Sequence, residues 1–289
     1  MSITIGVVGS INLDLVASGV ALPKAGETVT GARFAQHPGG KGANQALAAR
    51  RLGADAVMSG CGGDDALADP AMARLRKDGV DVAAVMSEIG TSTGVALISV
   101  SPEGENQITV ASGANARVSA TDVSLNLPKC DVILCQLEVP LDAVTAAAER
   151  ATETGALMAI NLAPAQDVPP ELLRQSDLLI VNEVEAAFYG DALHANGGMV
   201  ALTLGGEGAV LYKMGKEIAR VPAFSVPVVD TTGAGDTFCG ALAVALAEGE
   251  APDDALRFAS AAAALAVTKP GAQPSLPTRA QVERVLAEA

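Results

Sequence analysis

The chain has 289 residues, of which 49% are hydrophobic and 18% charged, and its formal net charge is −14. This apolar content excludes an intrinsically disordered chain and is sufficient for the core of one large domain. The acidic balance makes nucleic acid and anionic membrane surfaces poor partners, so an anionic substrate would need a local positive site.

Membrane spans, a signal peptide and a zinc site are not expected. The longest apolar runs, at 240–247 and 259–267, are well below the roughly 18 residues that a membrane span requires. The first residues have no basic region and predict a buried strand rather than a signal peptide. Cys61, Cys130, Cys135 and Cys239 each lie in or beside an apolar run, which predicts reduced core thiols in a cytoplasmic protein.

Short β-type runs alternate with helical runs along the chain. Strands are predicted at 3–9, 55–61, 131–137, 156–161, 177–182 and 199–205. Helices are predicted in "GANQALAARRLG", "ALADPAMARLRKDG" and "PLDAVTAAAERATETG", and at about 234–248, 253–267 and 278–288. Several strands are apolar throughout, as in strands that are covered on both faces, so the pattern predicts a mostly parallel central sheet between helices.

Two segments do not follow this alternation. Residues 26–40 are polar and β-prone, and residues 93–113 predict two strands around the turn "SPEGEN". We interpret both as a small β layer beside the main sheet. Because there are no repeats or long linkers, one α/β domain over residues 1–289 is expected.

The segment "DTTGAGDTFCGALAVAL" at 230–246 contains the first candidate site. Phe238, Leu242 and Leu246 share one helical face, so "TTGAG" precedes or forms the first turn of a helix. The unpaired amides and the dipole of a helix N-terminus favour an anion there. Asp236 could then accept a proton from a hydroxyl that attacks a bound phosphoryl group. The alternative is a favourable first-turn acid beside a tight turn.

Polar groups also follow the first predicted strand. Asn12 and Asp14, in "GSINLD", stand where open α/β sheets bind ligands, and they suit hydrogen bonds to vicinal hydroxyls. An ordinary Asx turn is the alternative.

The glycine-rich loop "HPGGKGANQ" precedes a predicted helix. It matches neither the P-loop nor the GxGxxG pattern, so a close backbone approach to a small polar ligand is the better interpretation. Lys41 and Asn44 can face this loop side, and the alternative is a plain tight turn.

Three further segments are ambiguous by themselves. Asn182 and Glu185 could carry a hydrated Mg²⁺ on one face of a helix's first turn, or form an N-cap with a capping-box acid. The segment "TLGGEGAVLY" at 203–212 could lie under a nucleotide or be a β-hairpin. The loop at 268–275 exposes carbonyl groups and Ser275 to a monovalent ion, or is only a loop.

Taken in order, the motifs resemble the ribokinase-like family of sugar and nucleoside kinases over nearly the whole chain. The matching segments are "GSINLD", "GGKGANQA", "STGVALI", "EGENQITVASGAN", "QLEVPL", "NLAPA", "VNEVEA", "TLGGEG", "DTTGAGDTFCGAL" and "AVTKPGAQPS". The resemblance implies a three-layer α/β/α sandwich with a small β lid, formed by segments at about 12–36 and 93–113. It also implies ATP-dependent phosphorylation of D-ribose at O5, with Mg²⁺ and K⁺, and a homodimer formed through the lid.

The resemblance also implies roles for individual residues. The sugar would contact Asn12, Asp14, Gly40, Lys41, Gly42, Asn44, Glu138 and Asp236. Asp236 would be the base, and the amides of Gly233, Ala234 and Gly235 would hold the phosphoryl group. The nucleotide and its Mg²⁺ would contact Asn182, Glu185, Thr203, Gly205, Gly206, Glu207, Gly208, Gly235 and Ser260. The K⁺ ion would use Asp230, Thr232, Ala266, Lys269, Gly271 and Ser275.

The chain departs from the family pattern at two places near the nucleotide. The segment between "NEVEAAFYG" and "MVALTLG" is shorter than usual for ribokinases, which carry an extra helix there, and Ser260 stands where some relatives place a residue against the adenine ring. The alternatives are a kinase of deoxyribose, another sugar or a nucleoside, and a non-catalytic sugar or nucleotide sensor. A dinucleotide-dependent dehydrogenase is disfavoured because the first strand is not followed by GxGxxG.

Overall fold

The computed structural model describes residues 2–195 and 197–288. Its strands in chain order are β1 (Thr4–Val8), β2 (Asn12–Ser18), β3 (Arg33–Gly39), β4 (Asp55–Gly63), β5 (Asp81–Glu88), β6 (Gly94–Val100), β7 (Asn106–Ala111), β8 (Val132–Gln136), β9 (Leu157–Asn161), β10 (Leu178–Asn182), β11 (Met199–Thr203), β12 (Ala209–Lys213) and β13 (Lys216–Val221). The helices are α1 (Lys41–Arg51), α2 (Ala68–Asp78), α3 (Ala120–Asn126), α4 (Leu141–Thr154), α5 (Pro170–Gln175), α6 (Glu183–Tyr189), α7 (Ala234–Ala247), α8 (Pro252–Ala266), α9 (Ala272–Ser275) and α10 (Arg279–Glu288).

A nine-stranded sheet forms the centre, in the order β13-β12-β11-β10-β9-β8-β1-β4-β5. The strands from β11 to β5 in this order are parallel, whereas β12 and β13 extend the sheet by antiparallel hairpins. A second, four-stranded sheet has the order β3-β2-β6-β7. Because the central strands are parallel, their carboxyl ends lie at one edge of the sheet, where ligands bind in such folds.

Apolar side chains alternate between the two faces of the central sheet and enter two separate cores. Ile5 and Leu134 pack in one core with α1, α7 and α8, whereas Val8 and Ile133 pack in the other with α3, α4 and α5. Both faces are therefore covered by helices, which explains why these strands are apolar throughout. The predicted α/β/α layering with an additional small sheet is confirmed.

All six strands predicted from the sequence are present at the central sheet, each within two residues of the expected bounds. The three C-terminal helices are also present, as α7, α8 and α10. The segment at 203–212 is a β-hairpin, because β11 pairs antiparallel with β12 across a short 3-10 turn. The described helices include none long and apolar enough to cross a membrane.

Strands β5 and β13 were not expected. Each occupies an edge of the central sheet and exposes much of its surface, so neither carries the apolar run that marks a buried strand. The small sheet also differs in detail. Only 33–39 of the segment 26–40 is a strand, and a further strand, β2, lies at 12–18, within the segment at about 12–36 that the resemblance assigns to the lid.

Candidate active site

Asp236 lies in the first turn of α7, as the apolar spacing predicts. The helix begins after Gly233, whose left-handed φ of 79° turns the chain into it. The first amides of a helix have no partner within the helix, although the amide of Ala234 donates to the Thr231 carbonyl at 3.2 Å. The amides of Gly235 and Asp236 remain the best-placed donors for an anion at this end of α7.

Asp236 is buried, with 9% of the residue exposed, and its carboxylate accepts hydrogen bonds from α1 at both oxygens. Asn44 Nδ2 donates to Oδ2 at 2.8 Å, and Gln45 Nε2 donates to Oδ1 at 3.0 Å. Burial raises the pKa of Asp236, although Lys41 and the two amides favour its ionised form. Such a carboxylate is a better proton acceptor than an exposed one.

Lys41 is the first residue of α1 and its charge faces three carboxylates. Burial lowers its pKa, but the charges of Asp236, Glu138 and Glu185 outweigh that effect, so the pKa is raised. Lys41 therefore remains a cation among these acids, next to the position where a phosphoryl group would meet α7.

Asn12 and Asp14 project from the same face of β2, since alternate residues of a strand share a face. The Asx-turn alternative is therefore wrong: both residues belong to the small sheet, not to a turn after β1. Burial, together with the charges of Glu138 and Asp236, raises the pKa of Asp14 to about 7. Asp14, Glu138 and Asp236 thus face a common space.

Two residues that the sequence did not single out fix this polar face. Asn115 Nδ2 donates to Asn12 Oδ1 at 2.7 Å, and Asn115 Oδ1 accepts from the Ile11 amide at 2.8 Å. The Ser10 hydroxyl donates to Glu138 Oε2. Ser10 lies in "GSINLD" and Asn115 in "EGENQITVASGAN", two segments that carry the family resemblance. Their place in these segments was the one indication of a role in the site.

The glycine-rich loop brings α1 against the end of β1. A Cβ atom on Gly42 would lie only 2.6 Å from the Gly9 carbonyl carbon, and Gly40 has a φ of 89°. Only glycine allows this approach, which places Lys41 and Asn44 beside Asp236.

Asn182 and Glu185 form the N-terminal capping box of α6. Asn182 Oδ1 accepts from the Glu185 amide at 2.9 Å, and Glu185 Oε2 accepts from the Asn182 amide at 2.8 Å. The structural alternative is thus confirmed. It does not exclude the ligand role, because both residues line a cavity of about 150 Å³ together with Lys41, Asp236 and Gly235.

A larger cavity of about 440 Å³ adjoins the small one and is lined mostly by apolar groups. Thr203 and Gly235 line both cavities, so the two meet at the start of α7. Of the residues expected around a nucleotide, this cavity contacts Thr203, Gly205, Gly206, Gly208, Gly235 and Ser260. Glu207 is exposed and is not among the lining residues.

The residues expected around a monovalent cation lie in two segments that contact each other. Asp230 Oδ1 accepts from the Thr232 amide at 2.9 Å, and Oδ2 accepts from the Gly271 amide at 2.8 Å. These hydrogen bonds lower the pKa of Asp230 despite its partial burial. The Ser275 hydroxyl is buried and donates to the Ala272 carbonyl, whereas the Ala266 carbonyl accepts from the Lys269 amide.

Among the described residues, no cluster of three or more His, Cys, Asp or Glu side chains that could hold a metal is present. The carboxylate and amide of Glu185 and Asn182 suit a Mg²⁺ ion that keeps most of its waters. Carbonyl and hydroxyl oxygens around Asp230 suit a monovalent cation. All four cysteines are free and buried, as predicted.

The site therefore combines a polar pocket on β2 and α1, a buried carboxylate, a helix N-terminus and an apolar cavity beyond it. This is the arrangement of a phosphotransferase that acts on a hydroxyl group.

Comparison with known proteins agrees with this assignment to the phosphotransferases. The model of the pfkB family of carbohydrate kinases matches residues 3–279. A ribokinase of Bacillus subtilis is 40% identical over 289 residues, which cover 97% of this chain and 98% of the relative. A ribokinase of Haemophilus influenzae is 38% identical over 304 residues, which cover 99% of both chains. The structure of Arabidopsis thaliana ribokinase complexed with ribose and ATP has a TM-score of 0.89 at 32% identity, over 99% of each chain.

The protein is thus a carbohydrate kinase, an enzyme that transfers a phosphoryl group to an alcohol. Within that class, the chain belongs to the pfkB family.

Proposed function

We propose that the protein phosphorylates D-ribose at O5 with ATP, giving ribose 5-phosphate. The observation that carries this proposal is the position of Asp236, which joins the polar pocket to the N-terminus of α7 and to the apolar cavity. The choice of ribose and ATP is supported by the relatives, which are named ribokinases, and by the related structure that contains both ligands.

The sugar binds between the small sheet and α1 in this proposal. Asn12 and Asp14 face its vicinal hydroxyls from β2, while Asn44 and Glu138 contact it from the other side, with Lys41 and the amides of Gly40 and Gly42. Because Asn115 and Ser10 hold Asn12 and Glu138 in place, little rearrangement of these groups is needed on binding. We further propose that the small sheet is a lid that covers the bound sugar.

Asp236 accepts the proton of the O5 hydroxyl as O5 attacks the γ-phosphorus of ATP. The bond between the γ-phosphorus and its bridging oxygen breaks, and ADP leaves with the electron pair of that bond. The amides at the start of α7 and the ammonium group of Lys41 stabilise the charge on the transferred phosphoryl group.

The apolar cavity holds the nucleoside part of ATP, with its phosphates extending past Gly235. Asn182 and Glu185 position the hydrated Mg²⁺ that accompanies the phosphates, which shields their charge during transfer. A K⁺ ion binds between Asp230, Thr232, Ala266, Lys269, Gly271 and Ser275, and stabilises the loop that leads into α7.

We propose that two copies associate through the small sheet. Its edge strand β7 is exposed at all six residues, and Leu97, Ile108 and Val110 are exposed on this sheet, which is unusual for an unpaired edge. We also place the reaction in the cytoplasm, because four buried free thiols are typical of a reducing compartment.

The test of the proposed function is ADP release from Mg-ATP in potassium buffer with D-ribose, 2-deoxyribose, other pentoses and hexoses, and nucleosides as separate acceptors. We expect the highest kcat/KM with D-ribose. A higher value for another acceptor would change the substrate assignment. If the protein binds ligands but releases no ADP with any acceptor, the non-catalytic sensor alternative would be favoured. The dehydrogenase alternative is further disfavoured because β1 leads into β2 and not into a dinucleotide-binding helix.

A further inference from the structure

Three buried amide side chains form a row behind Asp236, which we call the amide row: Gln45 on α1, Gln136 at the end of β8 and Asn161 at the end of β9. Gln45 and Gln136 are fully buried, and Asn161 is 8% exposed. Gln45 Nε2 donates to Asp236 Oδ1 at 3.0 Å and to Asn161 Oδ1 at 3.1 Å. Gln136 Nε2 donates to Gln45 Oε1 at 2.6 Å.

The direction of every hydrogen bond in this row is fixed from its ends. Asn161 Nδ2 donates to the Ile180 carbonyl at 3.2 Å, and a carbonyl can only accept, so Asn161 presents its oxygen to Gln45. An ionised Asp236 can also only accept. Both neighbours therefore require the NH₂ group of Gln45, whose oxygen must then turn to Gln136. The row has one consistent orientation, with its donors directed at the carboxylate.

The amide row also lowers the stability of the fold, so packing alone would not favour it. Gln136 Oε1 is buried and has no hydrogen-bond partner among the residues that the structure describes, and it lies so close to Gly9 that a Cβ there would collide with it. A buried polar atom without a partner destabilises the fold, whereas an apolar side chain of similar size would not.

We infer that Gln45, held by Gln136 and Asn161, is a positioning residue for the Asp236 base. With Asn44 on the other oxygen, Gln45 fixes the plane of the carboxylate and stabilises its ionised form. The remaining lone pairs of the carboxylate then face the sugar hydroxyl that receives the phosphoryl group. This inference rests on the proposed function. It adds Gln45 and Gln136, which line neither of the two cavities and act through Asp236.

The acid limb of the pH profile of kcat reports on this arrangement. Removing a donor from the ionised carboxylate raises its pKa, so the limb should move to higher pH. The other titratable groups that face Asp236 are Asp14 on β2, Lys41 on α1, Glu138 after β8, Glu185 on α6 and Cys239 on α7, and the variants below leave all of them in place.

The experiment compares kcat, the KM for ribose and the pH profile in Gln45→Met, Gln136→Met, the double variant and Asp236→Asn. Gln175→Met, at an exposed position of α5, is the matched control and should behave as the wild type. We expect Gln45→Met to lower kcat about 10- to 100-fold, as for loss of a hydrogen bond to a charged group, with a small change in KM. Gln136→Met should lower kcat less, with a shift of the limb in the same direction.

The double variant decides whether Gln136 acts through Gln45, because it should then match Gln45→Met alone. If Gln45→Met does not fold, Gln136→Met provides the test, since it leaves both bonds to Asp236 intact. An unchanged kcat and acid limb in the folded variants, with a lower Tm only, would overturn the inference while Asp236→Asn still confirms the base. Full activity in Asp236→Asn would instead remove the base itself, and the inference with it.

Discussion

Two glycines at the start of α7 allow stability and phosphoryl transfer to be separated. Gly233 has a φ of 79°, and an added Cβ would lie 2.9 Å from the Ala272 Cα. Gly235 is already helical, and an added Cβ would have no atom of the described chain outside its own turn of helix within 4 Å. Alanine is therefore strained at the first position and sterically free at the second. The two single-methyl changes are matched chemically and lie two residues apart.

Gly233→Ala should cost about 1–2 kcal/mol for the left-handed backbone alone, with the contact to Ala272 adding to that cost. We expect the Tm to fall by roughly 2–3 °C from the backbone strain, and further from the contact with Ala272. Gly235→Ala should leave the Tm unchanged or raise it, because alanine favours a helix over glycine by up to about 1 kcal/mol. Yet its methyl group would project into the junction of the two cavities, where the phosphoryl group passes. We expect kcat to fall on the order of 10²-fold, as for loss of an oxyanion donor.

The measurements are the Tm by calorimetry, the affinity for ribose by titration, and kcat by ADP release, for both variants and the wild type. We expect Gly235→Ala to bind ribose normally. Full kcat in this variant would refute the placement of the phosphoryl group at the α7 N-terminus. Equal losses of Tm, ribose affinity and kcat would show that the helix is simply damaged.

Three further predictions concern the cation, the acids and the apolar cavity. Potassium should support a higher kcat than sodium, and Asp230→Asn should reduce the difference; equal rates in both ions for the wild type would remove the monovalent site. The folded pKa of Asp14, about 7, exceeds its ordinary value of 3.8, so the stability lost to its ionisation develops as pH rises from 3.8 to about 7 and is fully present above that. Asp14→Asn should therefore raise the Tm near pH 8, with a gain that shrinks towards about pH 5; a gain independent of pH would contradict this. Ala264→Phe should fill part of the cavity and raise the KM for ATP but not for ribose; an unchanged KM for ATP would place the nucleotide elsewhere.

The central sheet was predictable because its strands carry a strong local signal. Strands such as β8 and β10 are buried on both faces, so almost every residue in them is apolar. Strands at the edges lack this signal. In β13, five of the six residues are at least partly exposed, and its sequence "KEIARV" resembles a loop. The strand β2 was missed because its polar residues serve the site and interrupt its apolar pattern.

The candidate site could be predicted where one segment carries its own geometry, as with Asp236 on α7 or the capping box of Asn182 and Glu185. The site could not be predicted where a hydrogen bond joins residues that are far apart in the sequence. Asn115 meets Ile11 across 104 positions, and Gln45 meets Asp236 across 191. No local periodicity reports such pairs, so the residues that hold the site together became visible only in three dimensions.

The most direct test of the account is identification of the product by phosphorus NMR after reaction of Mg-ATP with D-ribose in potassium buffer, for the wild type and Asp236→Asn. The account predicts ribose 5-phosphate and ADP in equal amounts from the wild type, and a rate lower by roughly 10²–10⁴-fold from the variant. A wild-type rate in Asp236→Asn, or a phosphate ester at another hydroxyl, would contradict it.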